Sequence, residues 1–218
     1  MTHRRRAGGS RLAALALALT LIACAGARPT RRADSAAACE PGNASAYHER
    51  ARELEQRDPA ASRRALSCGC ALSHAESCYD LAVYEADHGG LADAVAHYEM
   101  ACRLRHAPAC YNLGTCLVSG PCPNDAARGA KLLRNACESG VPHACLNLGN
   151  SYVLGRGVER RPDEGVALLT RACDAGVALA CYNLSVLLMT GPVEHDEARA
   201  AELRERACRG GVDDACSQ

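Results

Sequence analysis

Apolar residues recur at intervals of three and four along most of the chain, as in Leu132, Leu133 and Ala136 or Leu184, Leu187 and Leu188. That is the spacing of one face of an α-helix, not the alternation of a strand. The segments come in pairs. A first helix, the A helix, is predicted near 43–57, 74–87, 108–119, 143–154 and 178–190, and a B helix near 59–71, 91–105, 125–139, 163–175 and 196–209. Gly120, Gly155 and Gly191 stand as stops after the last three A helices, and Asp125, Asp163 and Asp196 as caps for the following B helices. Three A helices share nearly the same text: ACYNLG at 109–114, ACLNLG at 144–149 and ACYNLS at 180–185. The unit returns about every 35 residues, a period that signals stacked helical hairpins.

Cysteines mark the corners between units. Cys70 and Cys78, Cys102 and Cys110, Cys137 and Cys145, Cys173 and Cys181, and Cys208 and Cys216 are each eight positions apart. In one continuous helix that spacing is roughly 12 Å, beyond the ~7 Å Cα limit of a disulfide. A turn must therefore lie within each pair. Gly140 and Pro142, Gly176, Gly210 and Gly211, and Pro108 supply turn chemistry, while Ser73-His74-Ala75-Glu76 reads as a capping box in the first pair. Each pair is expected to staple a helix–turn–helix corner. As zinc ligands the cysteines would come in C-x-x-C pairs, and the sequence has none.

The amino terminus reads as an export signal over residues 1–23. Arg4, Arg5, Arg6 and Arg11 precede an apolar run from Leu12 to Ala23, too short for the ~20 residues a bilayer core needs. Leu21-Ile22-Ala23-Cys24 resembles the bacterial lipobox, which implies lipidation of Cys24; the alternative is simple cleavage with Cys24 incidental. Residues 24–42 then form the lipidated cysteine and a tether, and 43–218 the helical domain of about five hairpins. Removing Cys24 from 15 cysteines leaves an even 14, as an oxidising compartment favours. The four outside the ladder are expected to pair as Cys116 with Cys122 and Cys39 with Cys68. The chain has 25 basic and 25 acidic residues, so no net field draws it to nucleic acid.

ACxNLG, then a glycine, then a helix ending in LLxxAC, with cysteines eight apart, resembles the SEL-one-like repeat proteins, relatives of tetratricopeptide repeats, and among them the bacterial cysteine-rich Hcp type. The resemblance covers about residues 43–218. It implies an all-α, right-handed α-solenoid of stacked helix–turn–helix repeats stapled by disulfides. Its role would be that of a lipid-anchored protein- or peptide-binding scaffold in the bacterial cell envelope, in the periplasm or at the outer membrane. It also implies a penicillin-binding or weak β-lactamase activity as the alternative. The residues give that activity little support: Lys131 is the one lysine, no serine lies three residues before it, and the eight histidines show no metal-binding spacing. No catalytic residue, metal ligand or cofactor is assigned.

Asn112, Asn147 and Asn183 recur on the A helices and could line a concave ligand surface, or else bond neighbouring backbone between repeats. Tyr79, Tyr111 and Tyr182 recur beside the cysteines, as recognition aromatics or, by their helical period, as core.

Overall fold

A computed structural model describes residues 39–40 and 42–216; the export and lipidation assignments, with Cys24, lie outside them. Among the described residues there are eleven helices and no strand. The A helices are α1 (Ala44–Leu54), α3 (Ala75–Asp87), α5 (Ala107–Ser119), α7 (Pro142–Leu154) and α9 (Ala178–Thr190). The B helices are α2 (Pro59–Ala71), α4 (Leu91–Arg103), α6 (Ala126–Glu138), α8 (Pro162–Asp174) and α10 (Glu197–Arg209), followed by a last turn, α11 (Asp213–Cys216). Each A helix packs most extensively on the B helix that follows, and each of the first four B helices packs less extensively on the next A helix, the stacking of a solenoid. None of these helices is long and apolar enough to cross a membrane.

The core is built from small side chains and leucines. Leu113, Leu133, Leu148, Leu169 and Leu184 are fully buried, along with Ala94, Ala101, Ala136, Ala144, Ala172 and Ala180. Tyr79, Tyr111 and Tyr182 are half-buried and pack against this core. Two hairpins cross at facing glycines: a Cβ on Gly129 would lie 2.8 Å from the Gly114 carbonyl oxygen, and one on Gly165 2.9 Å from that of Gly149.

All five eight-spaced pairs are bonded. Cys70 is joined to Cys78, Cys102 to Cys110, Cys137 to Cys145, Cys173 to Cys181 and Cys208 to Cys216, with Cα atoms 4.5 to 4.9 Å apart. Cys39 is bonded to Cys68 and Cys116 to Cys122 as well. The second cysteines of the first four corners, Cys78, Cys110, Cys145 and Cys181, lie in the first turns of α3, α5, α7 and α9 and are buried. Their sulfurs therefore belong to the core as well as to the corner.

Every corner uses one backbone device. Three residues after the first cysteine, Ser73, Arg105, Gly140, Gly176 and Gly211 adopt φ of 63° to 92°. The amide of that residue donates to the carbonyl of the first cysteine, and the next amide to the carbonyl before it, as in Gly140 to Cys137 and Val141 to Ala136, both 3.0 Å. This is a Schellman closure, and its last residue begins the next helix.

Three local expectations are corrected. The second corner turns on Arg105, because Pro108 already lies in the first turn of α5, where a missing N–H costs nothing. In the first corner His74 caps α3, its Nδ1 accepting from the Ser77 amide at 3.3 Å, while Ser73 is occupied by the left-handed turn. Asp125 and Asp196 do cap α6 and α10, accepting from Arg128 and Arg199 amides at 3.1 and 2.9 Å. Asp163, however, lies inside α8, whose N-cap is Arg161 with Pro162 as the first helical residue. Of the three glycine stops, Gly155 alone takes the left-handed cap conformation; Gly120 and Gly191 are extended.

Candidate binding groove

A cleft of about 310 Å³ opens on the A-helix side, between α5, α7 and α9. Thr115, Asn147, Asn150, Leu154 and Asn183 line it. Helical spacing puts Asn147, Asn150 and Leu154 on one side of α7, and the corresponding places on α9 hold Asn183, Val186 and Thr190. Leu154 is 57% exposed and Val186 39%, so large apolar groups face solvent beside the amides.

Two of the three recurring asparagines belong to this cleft, and both tie A helices of adjacent repeats. Asn147 Nδ2 donates to Thr115 Oγ1 at 2.9 Å. Asn183 Nδ2 donates to Asn150 Oδ1 at 3.2 Å. The partner is thus a side chain three residues beyond the recurring position in the preceding repeat, where neighbouring backbone was the expected structural alternative. A tie of the same kind joins the first two units, where Asp80 on α3 takes the Asn position and His48 Nε2 on α1 lies 2.8 Å from its Oδ2. On α3 the partner position is Val83, which offers no polar group, and Asn112 turns to Tyr98 Oη on α4 at 3.3 Å. The positions that complete the ladder, Thr115 and Asn150, were legible as polar residues three after Asn112 and Asn147, but only the fold pairs them.

A second, larger cavity of about 730 Å³ lies on the same side, between α1, α2, α3 and the start of α5. Tyr79, Asp80, Tyr84 and His106 are among its lining. Burial lowers the His106 pKa, against the opposing pull of Glu76 and Asp80. Burial raises that of Tyr98, against the hydrogen bond from Asn112. Sequence reasoning passed over this cavity because no text repeats there.

Lys131 is exposed on α6, a B helix. Among the described residues no group of three or more His, Cys, Asp and Glu side chains is arranged to hold a metal ion.

Comparison of the sequence with curated proteins finds no match. Solved structures share the fold. The c5321 protein, a protective antigen of uropathogenic Escherichia coli displaying an SLR fold, aligns with a TM-score of 0.75 and 23% identity, over 80% of this chain and 40% of that one. The chain therefore spans less than half of that protein's length. A Sel1 repeat protein from Oxalobacter formigenes aligns with a TM-score of 0.71 and 20% identity, over 79% of this chain and 73% of that one. The Sel1 repeat matches four times in succession, at residues 75–106, 107–141, 142–177 and 178–212, each an A helix with the B helix after it. The chain belongs to the Sel1 repeat family, whose repeats generally mediate protein–protein interaction.

Proposed function

We propose that this chain is an exported scaffold, held to a membrane of the bacterial cell envelope through a lipid on Cys24, that binds an extended protein or peptide segment along its A helices. The observation that carries the reading is the cleft between α5, α7 and α9. There Leu154 stands exposed beside a row of amides, and Val186 is exposed three residues after the lining Asn183 on α9. A partner segment would cover the apolar side chains, worth about 25 cal/mol per Å² of apolar surface removed from water, while the amides take up its backbone polar groups. Export is supported by the apolar run ending at Cys24 and by the fourteen other cysteines, all of them paired.

Photocrosslinking amino acids placed at Leu154, Val186 and Lys131 in the intact protein in its native host test the groove. One discrete partner protein is expected from Leu154 and Val186 and not from Lys131. Equal capture from Lys131, or capture from none, overturns the groove. For the anchor, Cys24→Ala is expected to release the protein from sedimented membranes; retention there overturns lipidation.

A further inference from the structure

The two cavities on the A-helix side differ in chemistry. The cleft between α5, α7 and α9 is lined by amides, hydroxyls and leucine, with Arg156 its one charged group. The cavity between α1 and α3 is lined by four carboxylates, Glu55, Glu76, Asp80 and Asp87, against two guanidinium groups, Arg52 and Arg63. Those carboxylates are incompletely matched. Asp80 is engaged by His48 at 2.8 Å and Glu76 lies 3.5 Å from His74, but Glu55 and Asp87 make no ion pair among the described residues. Arg63 makes no ion pair with them among the described residues and lies instead over the cavity's own Tyr84, its Cζ 6.0 Å from the ring centre.

The wall behind the carboxylates is aromatic. Tyr79 packs against His106 with ring centres 4.5 Å apart, and Tyr84 stacks on His88 at 4.0 Å. An apolar occupant would strip water from carboxylates and give nothing back. An anion would meet their repulsion. A guanidinium satisfies both features, because it is cationic, forks onto carboxylates and lies flat on aromatic rings. Arg63 on Tyr84 shows that this wall accepts such a group.

We propose that the α1–α3 cavity receives an arginine side chain of the partner, so that the recognised segment is bipartite: neutral and apolar along α5, α7 and α9, cationic at α1 and α3. This rests on the groove reading above and names the partner's chemistry.

The test uses fluorescence anisotropy with the full, oxidised chain and a fluorescein-labelled dodecapeptide of Ala, Ser and Leu carrying two arginines, beside the same peptide with both replaced by citrulline, which keeps the shape and removes the charge. The arginine peptide is expected to bind at least about tenfold more tightly, a preference that shrinks with added salt. In the double variant Glu55→Gln with Asp87→Asn, whose far-UV circular dichroism should match the parent, the preference is expected to fall to about twofold or less. Equal affinity for the two peptides, or a preference indifferent to the double variant, overturns the proposal. So does a preference that appears only once residues 25–38 are deleted, which would make the chain's own Arg28, Arg31 and Arg32 the occupant. The groove reading fails separately. Equal binding that weakens in Asn150→Ala with Asn183→Ala leaves the groove standing without a cation site; equal binding indifferent to that variant removes both. If neither peptide binds, the cation site is rejected and the crosslinks at Leu154 decide the groove.

Discussion

Asn147 on α7 reaches back to Thr115 on α5, its amide Nδ2 donating to the hydroxyl at 2.9 Å. The bond spans 32 residues and joins the A helices of adjacent repeats without passing through the B helix between them. Because it lies on the cleft, it holds the spacing of the surface that a partner would meet.

Breaking that rung is expected to loosen the array locally without unfolding it. Asn147→Ala should cost about 1 kcal/mol, the net worth of a half-buried neutral hydrogen bond. Thr115→Val should cost a similar amount, and the double variant less than the sum, with a coupling of about 0.5–1 kcal/mol. Urea denaturation of the four proteins measures it. Strict additivity would show the contact to be energetically empty.

The glycine crossings set a second, steeper constraint. Gly165→Ala in the first turn of α8 gains at most about 1 kcal/mol of helix propensity. Its new Cβ would also lie 2.6 Å from Val153 Cγ2 and 2.9 Å from the Gly149 carbonyl oxygen, which is backbone and cannot step aside. Overpacking costs about 1–3 kcal/mol and wins, so a net loss of about 1 kcal/mol is expected in thermal or urea unfolding. The corresponding places in other hairpins hold Ala82 and Ala94, and Ser185 and Ala200, all small and buried.

Such contacts separate what the sequence displays from what it hides. Helix pairs were legible because each carries its own apolar period and the text ACxNLG repeats. The corner staples were legible because a spacing of eight forces a turn between the cysteines. The left-handed residues of the first two corners were not, since Ser73 and Arg105 have no intrinsic preference for that conformation and take it because the corner around them demands it. Asn147 announced itself by recurrence, but its partner is fixed by how far one repeat is displaced from the next, which no local pattern states. The α1–α3 cavity has no repeated text at all and comes only from packing two unlike units together.

The imposed turns are themselves testable. A non-glycine residue in the left-handed region costs roughly 1–2 kcal/mol, and glycine gives back about 0.4–1 kcal/mol through the freer unfolded chain. Ser73→Gly and Arg105→Gly are each expected to stabilise the protein by about 0.5 kcal/mol, the same residue already standing at Gly140, Gly176 and Gly211. A fall in the urea midpoint of either variant would mean that its side chain makes a contact outweighing the strain.

Removing a staple acts on the unfolded chain. Replacing both Cys137 and Cys145 by alanine opens a loop of about nine residues, worth roughly 2.5 kcal/mol in the chain-entropy account. Both cysteines are fully buried, so the lost sulfurs add a packing penalty. A drop of about 3 kcal/mol is expected in non-reducing urea denaturation. An unchanged midpoint would show that helix packing, not the bridge, closes that corner.

His106 gives the array a pH dependence of definite sign. Its pKa is lowered from the ordinary 6.5 by burial, so as pH falls through 6.5 the unfolded chain takes up a proton that the folded one resists. Stability should therefore be undiminished by this group above pH 6.5, decline as the solution is acidified, and level off once the pH is below the depressed folded value. The imidazole also caps α5, its Nδ1 accepting from the Ala109 amide at 3.3 Å; that contact exists only while Nδ1 carries no proton. His106→Asn preserves a capping acceptor and removes the titration. The variant will be less stable at every pH, having lost the ring that packs on Tyr79, but its stability should fall less between pH 7 and pH 5 than that of the parent. Parallel curves across that interval would assign the acid sensitivity to other groups.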